Sequence, residues 1–241
     1  MHMNDDLLNL GTGFAVIGHR GAAGLAPENT LPSFAKALSL GCTGIELDVH
    51  AVQDQKGATQ LCVIHDKLVD RTTNASGLVA DYSVEALAAL DAGSGAGVPT
   101  LAQVAELMAS SASTLINIEL KGANTAAATA AFLGERPNLR ALVSSFDHSE
   151  LRNFRALNTT TAVAPLFART SRRMLSTAQQ LNASCINISR SMATAELLKT
   201  CSEAGYPVLV YTVNEPTEAI VLKTSGAAGI FTDFPNRMIT L

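Results

Sequence analysis

Gly44-Ile45-Glu46-Leu47-Asp48-Val49 is an apolar run that carries two carboxylates two positions apart, and Gln60-Leu61-Cys62-Val63-Ile64-His65 is a second such run ten residues further on. A parallel crossover needs a dozen or more residues and usually a helix, so the intervening stretch, rich in Gln, Asp, Lys and Gly, reads as a hairpin. The turn falls over 53–57, and residues 60–65 return antiparallel beside 44–49, bringing His65 roughly opposite Glu46. Outside this hairpin, short β-branched runs alternate with helical periodicity. The strand segments are 14–18, 44–49, 114–120, 141–145, 162–167, 185–189, 208–213 and 229–232. Helical patterns lie between most of them, at 31–40, 100–110, 125–133, 149–157, 173–181, 194–204 and 216–224. Eight strands with interposed helices predict an α/β fold, a (β/α)8 TIM barrel with a hairpin and short excursion inserted after the second strand. Asp66 to Gly97 is polar and turn-rich with one short helix near 84–90, and reads as an excursion over the catalytic face without an exposed apolar segment. On this reading 1–241 is a single domain with a small insertion at about 50–98.

Composition narrows the function. Hydrophobic residues make up 47% of the chain and charged residues 16%, enough for a sizeable core, and the net charge is −4. There is no basic run and no interleaving of aromatic with basic residues, which argues against nucleic acid as a partner. Residues 1–10 carry Asp5 and Asp6 and lack the basic and long apolar regions of a secretory signal, and no window reaches the roughly 18 apolar residues of a membrane span. Cys42, Cys62, Cys185 and Cys201 are scattered and read as reduced, small apolar residues. The expectation is a cytoplasmic protein without membrane insertion. The oligomeric state is left open.

The chemistry-bearing residues sit at strand ends. Side chains two apart on a strand share a face, so Glu46 and Asp48 both point into the barrel, as do Asn117, Glu119 and Lys121 on the third parallel strand. Glu46, Asp48 and Glu119 together bring more like charge to one point than burial tolerates without a cation. Oxygen-only ligands favour Mg2+ or Ca2+ over zinc. The bland alternative is that one of these acids caps a helix or pairs with Lys121 or Arg20. His19 and His65 each end an apolar run, beside Arg20 and Asp66 respectively, and can move protons. Arg20 can hold a pair of phosphate oxygens. His50 continues the inward alternation but is read as a supporting or solvent-facing residue, and His148 as a residue of a helical first turn.

These residues carry a resemblance. The chain resembles the glycerophosphodiester phosphodiesterases of the small, cytoplasmic bacterial type. The matching segments run in order along almost the whole chain. They include His19-Arg20-Gly21, Pro27-Glu28-Asn29-Thr30, Gly44-Ile45-Glu46-Leu47-Asp48-Val49, Val63-Ile64-His65-Asp66 and Arg71-Thr72-Thr73-Asn74. Asn117-Ile118-Glu119-Leu120-Lys121, Ser144-Ser145-Phe146, Thr212-Val213-Asn214 and Thr232-Asp233-Phe234-Pro235 complete the pattern. The resemblance implies a (β/α)8 barrel, one divalent cation on Glu46, Asp48 and Glu119, an acid–base pair of His19 and His65, and phosphate-contacting cations Arg20 and Lys121. It implies hydrolysis of a small-molecule glycerophosphodiester to sn-glycerol 3-phosphate and an alcohol. Two departures stand out: the turn between Val49 and His65 is a few residues longer than usual, and Tyr211 replaces a common tryptophan. Rival readings are a phospholipase D-like or phosphoinositide-cleaving enzyme acting on intact lipids, and a non-catalytic barrel that binds phosphorylated metabolites. The first is disfavoured by the lack of a basic amphipathic helix. The second is disfavoured by the complete set of histidines and acids.

Overall fold

The structure, a computed structural model, describes residues 13–111 and 113–240, so the reading of residues 1–10 lies outside the described residues. Nine strands follow in chain order: β1 (Ala15–Gly18), β2 (Gly44–Gln53), β3 (Thr59–Val63), β4 (Leu115–Leu120), β5 (Ala141–Ser145), β6 (Ala162–Phe167), β7 (Ile186–Ser189), β8 (Val208–Tyr211) and β9 (Gly229–Thr232). The helices are α1 (Leu31–Ser39), α2 (Val84–Ala88), α3 (Leu101–Leu107), α4 (Thr125–Gly134), α5 (His148–Leu157), α6 (Met174–Gln180), α7 (Ala195–Glu203) and α8 (Pro216–Thr224). All strands but β3 pair in parallel, and β9 returns to β1, closing the ring β1-β2-β4-β5-β6-β7-β8-β9. This is a TIM barrel. Local sequence supports its elements: Thr30 caps α1 through Ser33 N–H, a Thr100–Gln103 capping box opens α3, and Asp147 caps α5.

Strand alternation divides the apolar residues into two layers. Outward-facing Val16, Ile45, Leu47, Val49, Ile116, Ile118 and Val143 pack against the helix ring, whose contribution includes Phe34 and Phe154. Inward-facing Ala15, Ile17, Leu115, Leu142, Leu209 and Phe231 fill the barrel interior. The inward column then changes character toward the strands' carboxyl ends, where Glu46, Asp48, Asn117, Glu119, Ser144 and Asn187 are buried. An apolar plug thus forms the floor of a polar chamber, the arrangement that puts chemistry at this end of such barrels. Phe154 is fully buried in the helix layer and distant in sequence from the catalytic motifs. Phe154→Ala should cost about 3–5 kcal/mol of stability by leaving a cavity. Urea unfolding with an unchanged slope and a lowered midpoint is the expected result, and an unshifted midpoint would contradict this packing.

The insertion departs from expectation in three ways. Antiparallel pairing sets Val49 opposite Val63, and Ile64 N–H donates to the Asp48 carbonyl at 3.0 Å, so this register carried past Asp48 sets His65 level with Leu47, one residue from Glu46. The turn's exact register could not be counted from composition, because β2 runs on to Gln53 and the loop closes through Asp54 and Ala58. The excursion is not merely polar: Val69, Val79, Leu87, Ala92 and Val98 form a small core against Val52, Cys62 and Ile64 of the hairpin. It also exposes apolar surface, Leu68 at 47% and Leu78 at 46%, which pair across an isolated antiparallel bridge. All four cysteines are free and buried, and burial pushes the Cys42 and Cys62 thiols up to about 12, so they behave as apolar residues. Among the described residues no helix is long and apolar enough to cross a membrane.

Candidate active site

The chamber opens as a cleft of about 180 Å³ at the carboxyl ends of the strands, lined among others by His19, Arg20, Glu46, His65, Glu119 and Lys121. The fold therefore brings together residues far apart in the chain, His19 and Phe231 among them. Glu46, Asp48 and Glu119 converge, with one carboxylate oxygen from each lying within 4.8 Å of the others, and all three are buried. The local backbone is shaped to hold them. Arg20 has a φ of 50° and donates its backbone N–H to Glu46 Oε2 at 2.8 Å. Asn29, with a φ of 57°, donates its side-chain amide to Asp48 Oδ2 at 2.9 Å. Left-handed conformations are uncommon for residues with a Cβ, and both occur where the main chain wraps the acids. Gly21 follows with a φ of 86°, and a side chain there would collide with the Ser33 and Phe34 backbone. The His-Arg-Gly motif is thus a single tight turn.

Three buried carboxylates face two cations. Lys121 Nζ lies 3.2 Å from Asp48 Oδ1 and also contacts Glu119, and Arg20 Nε lies 3.5 Å from Asp48 Oδ2. Burial would raise Asp48, yet Lys121 and Arg20 hold it below the usual carboxylate range. Glu46 is pushed well above that range by burial and by the charges of Asp48 and Glu119. Burial and Asp48 together take Glu119 up to about 7. Lys121 Nζ is the one cation on Asp48 Oδ1 and Glu119 Oε1 among the described residues, and Glu46 Oε1 is buried without a hydrogen-bond partner. A cluster with two raised acids and an unpartnered buried oxygen is short of positive charge, and its all-oxygen donor set suits a hard divalent ion. The residues present fit such an ion. The alternative pairing with Lys121 and Arg20 does occur, engaging Asp48 and Glu119, but it leaves Glu46 Oε1 unsatisfied.

The two histidines flank the cluster, each with its own carboxylate. His19 Nδ1 lies 2.7 Å from Asp233 Oδ1, and His65 Nδ1 lies 2.5 Å from Asp66 Oδ1. Asp233 is held in turn by Asn214, whose side-chain amide donates to its Oδ2 at 2.7 Å. A carboxylate on Nδ1 fixes the tautomer and leaves Nε2 as the proton-exchanging atom. His19 Nε2 is 4.0 Å from Glu46 Oε2. Burial lowers the His65 imidazole below its ordinary value, favouring the neutral ring. Asp233 and Asn214 had no assigned role in the sequence reading. Their signal was Thr232-Asp233 at the end of the last strand, which only barrel closure places beside His19. Glu28 and Arg71 were also missed as partners of the site: Arg20 Nη1 donates to Glu28 Oε1 at 2.7 Å, and Arg71 contacts both Glu28 and Asp66. His50 is buried, not solvent-facing, with Nε2 3.2 Å from the His65 carbonyl oxygen. His148 opens α5 as expected, with its ring against Phe167. Aromatic residues also line the cleft. Phe146 and Tyr211 meet edge to face at 5.8 Å in its wall, and Lys121 Nζ sits 5.6 Å from the Phe146 ring centroid.

Residues 19–237 match the model of the glycerophosphoryl diester phosphodiesterase family. The chain belongs to this family. Similar curated proteins include the glycerophosphodiester phosphodiesterase of Caldanaerobacter subterraneus subsp. tengcongensis, 32% identical over 94% of this chain and 96% of that protein. That of Bacillus altitudinis is 34% identical over 94% of this chain and 97% of its own. Among solved structures, the Oleispira antarctica phosphodiesterase in complex with the product sn-glycerol-3-phosphate superposes with a TM-score of 0.87 at 29% identity, covering 94% of this chain and 95% of that one. As a glycerophosphoryl diester phosphodiesterase family member the chain is an enzyme, a phosphoric diester hydrolase whose substrate class is the glycerophosphodiesters.

Proposed function

We propose that the enzyme hydrolyses glycerophosphodiesters to sn-glycerol 3-phosphate and an alcohol by two-histidine acid–base catalysis at a divalent-ion site. The observation that carries this reading is the juxtaposition of a cation-deficient carboxylate cluster with two histidines, each oriented by its own carboxylate. Glu46, Asp48 and Glu119 hold the ion, with Mg2+ or Ca2+ the matching choice for oxygen donors. The bound ion supplies Lewis acidity toward a phosphate oxygen. Arg20 and Lys121 bind the phosphate and offset charge that develops on its non-bridging oxygens. One of His19 and His65 takes a proton at Nε2 from the attacking hydroxyl, and the other delivers a proton to the departing alkoxide oxygen. Water can attack directly, or the neighbouring glycerol hydroxyl can attack first, expelling the alcohol and leaving a cyclic phosphate that water then opens to sn-glycerol 3-phosphate. The insertion at about 50–98 contributes His65 and Asp66, so it works with the barrel as one catalytic domain.

The cleft wall of Phe146, Leu166 and Tyr211 offers an apolar surface for a small alcohol or glycerol face rather than a cage for one cationic head group, since Lys121 already occupies the Phe146 face. Broad tolerance is the expected outcome. Glycerophosphocholine, glycerophosphoethanolamine and glycerophosphoglycerol should be cleaved with kcat/KM values within a factor of about 200, the span of roughly 3 kcal/mol of pocket discrimination. Intact diacyl phospholipids should be poor substrates, because two acyl chains exceed a cleft of this size. Parallel steady-state kinetics on the four compounds is the test. Efficient turnover of the diacyl lipid, with Leu68 and Leu78 as its contact surface, would favour the lipid-cleaving reading instead.

A further inference from the structure

We propose that Arg71, which reaches none of the reacting groups directly, is a positioning residue that sets the side chains of His65 and Arg20 as a unit. The inference rests on the roles just given to those two residues. The Arg71 guanidinium lies between two carboxylates. Its Nε donates to Asp66 Oδ2 at 2.5 Å, and its Nη1 and Nη2 donate to Glu28 Oε2 and Oε1, both at 2.8 Å. Each carboxylate has a second partner in the catalytic cleft. Asp66 Oδ1 meets His65 Nδ1 at 2.5 Å, and Glu28 Oε1 accepts from Arg20 Nη1 at 2.7 Å. The result is an unbroken chain, Arg20, Glu28, Arg71, Asp66, His65, which alternates in charge and spans from the turn after β1 to the end of the β3 hairpin.

The two histidines differ in what holds their carboxylates. Asp233, behind His19, is held by Asn214, and its backbone N–H donates to the Asn214 side chain at 2.9 Å. Asp66, behind His65, has a side chain that among the described residues meets only His65 and Arg71. His65 lies past the last paired residue of β3, so ladder pairing does not fix its rotamer. Arg71 is therefore the sole anchor of the group that orients His65. An exposed ion pair by itself adds little stability, and the Arg71 side chain is 46% exposed. Its three directed donors instead specify geometry, as a fork can and a point charge cannot. A misplacement of about 1 Å at a reacting group can cost on the order of 10²-fold in rate.

The test begins with wild-type turnover of glycerophosphocholine; if that is absent, the proposed function fails and Arg71 is not the reason. Given wild-type activity, Arg71→Ala should lower kcat by about 10²-fold with KM changed much less. Arg71→Lys should recover little, because an ammonium cannot make the three bonds in these directions. The downfield proton resonance of the His65 Nδ1–H should be lost or shifted in both variants, a signature that a purely structural tether would not move. The exchanged pair Glu28→Arg with Arg71→Glu separates the two roles. It restores an ion pair between these loops but sets Arg beside Arg20 and Glu beside Asp66, so it should stay as inactive as Arg71→Ala. Circular dichroism would verify folding, and Asp66→Asn, expected to lower kcat similarly, addresses the same chain should Arg71→Ala not fold. Wild-type kcat in Arg71→Ala, or full recovery by the exchanged pair, would overturn the proposal.

Discussion

Chelation followed by removal of the chelator should abolish turnover, and Mg2+ or Ca2+ should restore it while zinc restores less. The reason lies in the electrostatics of Glu46, Asp48 and Glu119. Burial and the neighbouring carboxylates push Glu46 and Glu119 above the carboxylate range, and Glu46 Oε1 lacks a hydrogen-bond partner. Lys121 is the cation that faces Asp48 and Glu119 here, and it cannot by itself balance three buried acids. Loss of the ion would remove the Lewis acid of the proposed mechanism. Changes to residues around a metal ligand typically cost 10–100-fold in affinity or activity, so Glu46→Gln and Asp48→Asn should weaken ion binding by more than about 10²-fold. Glu28→Gln should weaken it far less, since Glu28 pairs with Arg20 and Arg71 and lies outside the converging set. Titration calorimetry with Mg2+ and Ca2+ measures these affinities directly. Full activity in protein shown by elemental analysis to be metal-free would sink the assignment.

His19→Ala and His65→Ala should each lower kcat by about 10²-fold or more, the range for a lost general acid or base. In both residues Nδ1 is committed to a carboxylate, so deletion removes the only proton-exchanging atom that element presents to the cleft. Folding should be little affected, because both side chains are partly exposed at the chamber's rim and neither belongs to an apolar cluster. Circular dichroism and thermal unfolding alongside kinetics would establish this. Near-wild-type turnover in either variant would take that histidine out of the mechanism.

Periodicity made the barrel legible because each inward and outward alternation is a local property of a strand. Glu46 with Asp48, and Asn117 with Glu119, were assigned a common face from a spacing of two, and each pair is buried toward the chamber. The hairpin was legible from chain length, since ten residues cannot cross over a sheet. Its register was not, because a turn's hydrogen bonds decide which residue stands opposite which, and a one-residue difference carried His65 past Asp48. The excursion's small core was hidden by its turn-rich pattern. Val69, Val79, Leu87 and Ala92 share no regular period and are gathered only by their contact with the hairpin.

The eight-strand barrel, the inventory of acids, histidines and cations, and the end of the barrel at which they gather were legible in the chain of residues alone. These follow from local propensity and from the fixed geometry of a strand, which need no knowledge of distant residues. How that inventory is wired emerges only on folding. Barrel closure brings Asp233 beside His19 across 214 positions of chain, and folding of the insertion brings Arg71 to Glu28 across 43. Such pairings depend on side-chain directions and on a few ångströms of backbone placement, which no local pattern of residues encodes.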